Sequence, residues 1–174
     1  MVNSPGGLEL TDGLILLRPL RADDAAHHLA GEDDEIARWL SGGRSTLRNV
    51  QDYITRCQAS WRSNGPLRAF GVFDCRSGRL IGSVEANLAY VLESDQVNVS
   101  CGVFPEWRGR GVALRALDLM GEYLAAATDV RQMILRIAPE NTKSVKLAVK
   151  AGCVFLGVFD EANGTFARYA RDVK

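Results

Sequence analysis

Val103-Phe104-Pro105-Glu106-Trp107-Arg108-Gly109-Arg110-Gly111-Val112-Ala113 decides how this chain is read. An apolar stretch stops at Pro105, two glycines follow, and a helical pattern opens at Val112. Glycines let the main chain approach a ligand with no Cβ in the way, and the first turn of a helix offers free N–H groups at its positive dipole end. The combination suits an anion such as a pyrophosphate, with Arg108 and Arg110 adding charge locally. Alone, the turn does not name its ligand. A dinucleotide fold would place a third glycine where Leu114 stands and would begin with a parallel βαβ unit, whereas antiparallel strands come first here. A P-loop would carry Gly-Lys-Ser/Thr, which is absent.

The flanking pattern is that of an α/β protein. Upstream, residues 95–104 alternate, with Val97, Val99, Cys101 and Val103 on one side and Asn98, Ser100 and Gly102 on the other, which predicts a strand. Downstream, residues 112–127 predict a helix in which Ala113, Leu117, Met120 and Leu124 share a face, and residues 133–138 predict a strand. A strand–helix–strand unit of this kind pairs in parallel. Residues 142–151 read as a helix closed by Gly152, and residues 154–159 and 166–170 as a hairpin around Asn163-Gly164. Earlier in the chain, residues 14–20 form a strand ended by proline, and Asp23 and Asp24 open a short helix that Gly31 ends. Val50, Ile54, Cys57 and Trp61 mark one face of a helix over residues 45–61. Residues 67–74 and 79–90 are strands joined through Cys75-Arg76-Ser77-Gly78.

Composition narrows the function classes. A chain of 174 residues, 47% hydrophobic, suits one domain over residues 1–174 with a continuous core. Its 21 basic and 21 acidic residues cancel, so nothing favours a nucleic acid partner. Residues 1–9 lack a signal-peptide pattern and no segment is long enough to cross a bilayer, so the expectation is a cytoplasmic protein without membrane contact. Cys57, Cys75, Cys101 and Cys153 lack zinc-site spacing and read as free thiols, and no metal is expected.

Arg108-x-x-Gly111-x-Ala113 between a strand and a helix, followed by Asn141-Thr142-Lys143-Ser144 at the start of the next helix, resembles the GNAT superfamily of N-acetyltransferases. Leu17-Arg18-Pro19-Leu20 with Asp24, and Ala151-Gly152-Cys153 before the Asn-Gly hairpin, resemble its RimJ/RimL-like branch, which acetylates ribosomal-protein and related N-termini. The resemblance implies a mixed, mostly antiparallel sheet of about seven strands with helices on both faces. That sheet would be splayed between the fourth and fifth strands, with the pantetheine of acetyl-CoA in the opening. It further implies that backbone near Cys101, Val103 and Phe104 holds the thioester carbonyl and pantetheine amides. The amides of Gly109, Arg110, Gly111, Val112 and Ala113, behind Arg108, would bind pyrophosphate. Asn141 would contact the pantetheine arm, and Ser144 would protonate or stabilise the departing thiolate. Lys143 and Lys146 are candidates for the 3'-phosphate. Asn141 is equally an N-cap, and the two roles are compatible.

The expected reaction is direct acetyl transfer from acetyl-CoA to a primary amine in a ternary complex, with the oxyanion held by a strand N–H near Phe104. Neutralising a lysine ammonium costs ~4 to 5 kcal/mol at neutral pH, against ~1 kcal/mol for an α-amine. A modest base therefore suffices for a protein or peptide N-terminus. The candidate bases are Glu85, on the strand before the signature strand, and Asp160 or Glu161 near the last hairpin, Glu161 by transfer from the RimJ/RimL-like enzymes. Cys101 is the candidate for a ping-pong route. His27 and His28 are read as lying away from the cleft, while Trp39, Trp61 and Phe70 pack or line the acceptor mouth. Tyr169 is a candidate acid or a core residue. The acidic run Glu32-Asp33-Asp34-Glu35 would attract a cationic acceptor or simply be solvated. A small-molecule acceptor, a non-catalytic acyl-CoA sensor and a homodimer stay open.

Overall fold

The computed structural model describes residues 7–89, 93 and 95–173. Tyr90, at the end of one predicted strand, and the first six residues lie outside them. Five strands pair antiparallel in succession: β1 (Leu10–Thr11), β2 (Ile15–Pro19), β3 (Leu67–Asp74), β4 (Leu80–Asn87) and β5 (Gln96–Val103). β6 (Gln132–Ile137) is parallel to β5, as the strand–helix–strand pattern requires. β7 (Val154–Glu161) and β8 (Gly164–Asp172) form the closing hairpin, with β8 inserted beside β6, so that the eight strands run β1-β2-β3-β4-β5-β6-β8-β7. The strand beyond the expected seven is β1, whose two residues are too short to leave an alternating pattern.

The helices are α1 (Ala25–Ala30), α2 (Asp34–Ile36), α3 (Leu47–Arg62), α4 (Val112–Ala127) and α5 (Thr142–Lys150). No helix among the described residues is long and apolar enough to cross a membrane. On one face of the sheet, Leu117, Met120 and Leu124 of α4 are buried against Val97, Val99 and Met133. On the other, Val50 and Ile54 of α3 bury a second cluster with Leu20, Phe73 and Phe104. Each fully buried leucine or isoleucine contributes roughly 1.5–3 kcal/mol, so the two clusters fix the positions of α3 and α4 on either side of β4 and β5. Gly31 ends α1 in a right-handed conformation (φ −82°), so left-handed freedom is not what it supplies. A Cβ there would lie 2.3 Å from the Phe104 ring, and glycine is needed for that close approach.

The Leu17-Arg18-Pro19-Leu20…Asp24 segment has a clear mechanical role. The Arg18 guanidinium donates to both Asp24 oxygens at 2.8 and 2.9 Å while stacking 3.8 Å from the Phe73 ring. Asp24 also accepts from the Arg21 amide at 2.7 Å. Burial alone would raise the Asp24 pKa, but these donors outweigh it and hold the carboxyl below its ordinary range. The pair pins the exit of β2 to the start of α1. Asp24→Ala, which strands Arg18 in a half-buried position, should cost roughly 2 to 4 kcal/mol in urea denaturation at pH 7. A loss below about 0.5 kcal/mol would show the pair to be incidental.

Candidate active site

Only three residue pairs join β5 to β6, from Gln96 opposite Gln132 to Asn98 opposite Ile134. Beyond them the strands part, and a cleft of 1280 Å³ opens between them. The Phe104 amide donates to Ile81 of β4 at 2.9 Å. Since N–H directions alternate along a strand, those of Cys101 and Val103 face away from β4, into the fork. The cleft floor is the polar face of β4 and β5, where Ser83 lies opposite Gly102 and Glu85 opposite Ser100. At its narrow end the Asn98 Oδ1 is buried without a partner.

One wall is the glycine turn. A 3-10 turn over Pro105–Trp107 leads to Gly109 and Gly111, both left-handed (φ 75° and 79°). A Cβ at either would meet nothing within 4 Å, so these glycines serve backbone conformation and outward access, not internal packing. No group among the described residues accepts from the amides of Gly109, Arg110 or Gly111, and Arg115 is the first in α4 to find its helical partner, the Gly111 carbonyl at 3.2 Å. The result is a run of unfilled donors at a helix start, which fits a pyrophosphate-bearing cofactor. Across the fork, Asn141 caps α5 by accepting from the Ser144 amide at 3.2 Å. The Ser144 hydroxyl itself has no partner among the described residues and lines the cleft.

The opposite wall comes from α3 and the α1–α3 connection. Asn49, Tyr53 and Arg56 follow one another at helical spacing and all line the cleft, with Arg38, Trp39 and Leu40 beside them. The Tyr53 hydroxyl donates to Glu85 Oε2 at 2.7 Å. Burial pushes the Glu85 pKa up, against the opposing pull of Tyr53 and the Arg56 charge. Burial and then the Glu85 charge drive Tyr53 well above the ordinary phenol range, so it stays a donor. His28 packs between Tyr53 and Phe104, ring centroids 5.9 and 6.2 Å away, with neither nitrogen partnered. Its pKa is lowered by burial, against the charges of Glu32 and Asp24.

The walls are tied at the mouth. Arg108 donates to the Val103 carbonyl at 2.9 Å, to Asp33 at 2.6 and 2.9 Å and to Glu35 at 3.0 Å, and Glu35 continues to Lys143. Hydrogen bonds from Arg108 draw the Asp33 pKa down to about 2. Asp34 pairs with Arg44 at 2.7 Å and Glu32 accepts from the Ser45 amide and hydroxyl, both at 2.7 Å. Each carboxylate of the acidic run thus has a partner within the fold, Asp34 while remaining exposed to solvent.

The acetyltransferase (GNAT) domain family matches residues 15–154, most of the chain. The chain belongs to the GNAT acetyltransferase family. Among curated proteins no sequence matches it. Similar solved structures include a ribosomal-protein-S5-alanine acetyltransferase from Vibrio fischeri, 18% identical with a TM-score of 0.78, covering 95% of this chain and 97% of the other. An aminoglycoside acetyltransferase in complex with coenzyme A is 19% identical at TM-score 0.76, covering 91% and 94%. A chimera of the spermidine N-acetyltransferase SpeG from Vibrio cholerae is 20% identical at TM-score 0.71, covering 90% and 94%.

Within this GNAT fold, Glu85, Cys101, Val103, Arg108, Gly109, Gly111, Val112, Ala113, Asn141 and Ser144 all line the cleft, whereas Phe104, Arg110, Lys146 and Glu161 do not. Phe104 points its ring into the second core cluster and its own amide is bonded to β4, so of the N–H groups near Phe104 it is those of Cys101 and Val103 that face the fork. Arg110 stacks 5.1 Å from the Trp107 ring. Lys146 sits on the outer side of α5, where Lys143 and Lys150, two turns apart, take the inner face. Glu161 is clamped by Arg136 and by Arg168, the latter at 3.0 Å, outside the residues that line the cleft. Asp160 accepts from Thr165 at 2.7 Å in the same hairpin. Tyr169 is a core residue against Phe155. Burial pushes the Cys101 thiol up to about 12, which removes the thiolate a ping-pong route needs. His28, expected away from the cleft, lines it, because α1 packs against α3 and β4 and brings Gly31 up to the Phe104 ring. Tyr53, Arg56 and Arg38 left no usable signal, since their spacing also describes a solvated helix face.

Two measurements check this geometry. Gly111→Val should weaken coenzyme A binding at least tenfold by calorimetry while costing roughly 1–2 kcal/mol of stability from the left-handed backbone; unchanged affinity would rule the cradle out. For His28, folded and unfolded states differ in proton uptake. The buried imidazole is neutral while the unfolded one binds a proton below about 6.5, so its contribution to stability is full above that pH and declines as pH falls. Glu32, Asp24 and Glu85 titrate nearby, so the wild-type minus His28→Phe difference isolates the imidazole. That difference should shift against the wild type between pH 6.5 and 5, and a flat difference would contradict the assignment.

Proposed function

We propose that this chain takes acetyl-CoA and acetylates a protein or peptide N-terminal α-amine by direct attack in a ternary complex, as a RimJ/RimL-like member of its family. The carrying observation is Glu85. Glu85 lies on the cleft floor beside Tyr53 of the acceptor wall, no cation among the described residues pairs with it directly, and burial raises its proton affinity; Glu140, which also lines the cleft, lies on the cofactor side before α5. One base suited to a weakly basic amine, in place of an array of carboxylates, fits a single α-amine better than a polyamine or an aminoglycoside. The solved structures with the same fold span all three acceptor classes, so the fold alone does not choose between them.

When bound, acetyl-CoA supplies an acetyl group activated as a thioester. The amides of residues 109–113 would hold its pyrophosphate, and the fork-facing amides of Cys101 and Val103, with Asn141, its pantetheine arm. Glu85 Oε1, the oxygen not engaged by Tyr53, takes the amine proton. Tyr53 orients the carboxylate and remains protonated while doing so. Ser144 Oγ, without a partner among the described residues, has a proton to offer on the cofactor side. A non-catalytic sensor would have no use for a buried, oriented carboxylate on the cleft floor.

Glu85→Gln keeps an acceptor for Tyr53 but removes the base. It should lower kcat/KM roughly 10²- to 10⁴-fold with the KM for acetyl-CoA little changed, and abolish the acid limb of the pH profile. Tyr53→Phe removes a bond that lowers the Glu85 pKa, so the acid limb should move to higher pH. Thiol release by Glu85→Gln at the wild-type rate would move the base elsewhere.

A further inference from the structure

The cations around the cleft fall into two groups. On the cofactor side, Arg108 and Lys143 are bound to Asp33 and Glu35, Arg136 is bound to Glu161, and Lys150 of α5 lines the cleft with no carboxylate in contact among the described residues. On the acceptor wall, Arg38 and Arg56 line the same cleft with no carboxylate in contact among the described residues. Both residues are exposed at the cleft rim, but their surroundings differ from those of an isolated surface arginine in two respects. The Arg38 guanidinium is stacked 4.3 Å from the Trp39 ring, which limits its freedom and leaves its edge donors unused. Arg56 stands one helical turn beyond Tyr53, the residue that holds Glu85. Its field is felt at the Glu85 carboxylate itself. Two like charges on one wall of the cleft, ion-paired to no carboxylate among the described residues and offset there by Glu85 alone, bias the potential of that wall toward positive.

Resting on the α-amine reading above, we infer that the acceptor carries a carboxylate close to the amine it presents, and that Arg38 and Arg56 receive that carboxylate while the amine reaches Glu85. The class named is an N-terminal segment with Asp or Glu in the positions just after the reacting residue. A guanidinium gives planar, paired donors matched to a carboxylate, and the same two charges repel a second ammonium. The wall therefore selects for an acidic peptide and against a polycation. The same chemistry exists in a free amino acid, whose own carboxylate adjoins its amine, so the test must separate the two sources.

The test measures thiol release from acetyl-CoA with three otherwise identical heptapeptides carrying acidic, neutral or basic residues at positions two and three, alongside free glutamate and spermidine. The acidic peptide should show kcat/KM at least tenfold above the neutral one and more above the basic one, chiefly through KM, with the gap shrinking as salt rises. Arg38→Gln and Arg56→Gln should each erode the acidic-to-neutral ratio by several fold and together bring it near one, while coenzyme A affinity, measured by calorimetry, stays within twofold and certifies the fold. Arg56→Glu should turn the preference toward the basic peptide. Equal or inverted preference in the wild type, or a ratio untouched by the double variant, overturns the inference and leaves the N-terminal reading standing. Turnover of glutamate with none of the peptides keeps the carboxylate recognition and overturns the peptide class. Turnover of spermidine alone overturns both.

Discussion

The parting of β5 from β6 after Asn98 and Ile134 is the feature on which the rest of this molecule depends. A continuous parallel pair would satisfy the backbone of both strands and leave no cleft. Once they diverge, the fork-facing groups of β5 through Val103 lack a strand partner, and unpaired main-chain groups are tolerated only where water or a ligand meets them. The fork therefore stays open as a place for an extended, amide-bearing chain. It also lets α4 and α5 begin on opposite lips, so that their amino-terminal turns both face the gap.

The rest of the architecture holds the fork in shape and divides its charge. α4 is locked to the far face of the sheet by Leu117, Met120 and Leu124, which makes the glycine turn before it a rigid cradle. The polar face of β4 and β5 is left to the cleft, and α3 covers it from the side with Tyr53. The α1–α3 connection is stitched to the cradle by Arg108, which pairs with Asp33 and Glu35 and, through Glu35 and Lys143, links both lips. The cleft is thus neutralised at its mouth and left charged on its acceptor wall, where Glu85 lies among uncompensated arginines.

Burial sorts the candidate chemistry. Glu85 and Glu161 were equivalent as carboxylates in the sequence, yet one is desolvated beside a phenol and the other is gripped by two guanidinium groups. Burial raises the proton affinity of Glu85, while Glu161 is engaged as an ion-pair partner away from the cleft. Cys101 lies in the signature strand but turns its thiol to the α4 side, where burial keeps it protonated.

The sequence by itself determined what local rules govern. The alternation of Val97, Val99, Cys101 and Val103, the helix from Val112 to Ala127, the glycines before it and the Asn141 cap all depend on near neighbours, and their bounds agree with the structure closely. The parallel pairing of β5 with β6 followed from the length of the intervening helix. Tertiary structure alone decided which side chains meet across large separations in the chain: Tyr53 with Glu85, Arg108 with Asp33, Glu161 with Arg136, and His28 with the cleft. Such contacts carry no periodicity, because each is fixed by how far two packed elements slide past one another. The charge of the acceptor wall belongs to that second kind, since a net charge of zero says nothing about where the unpaired charges lie.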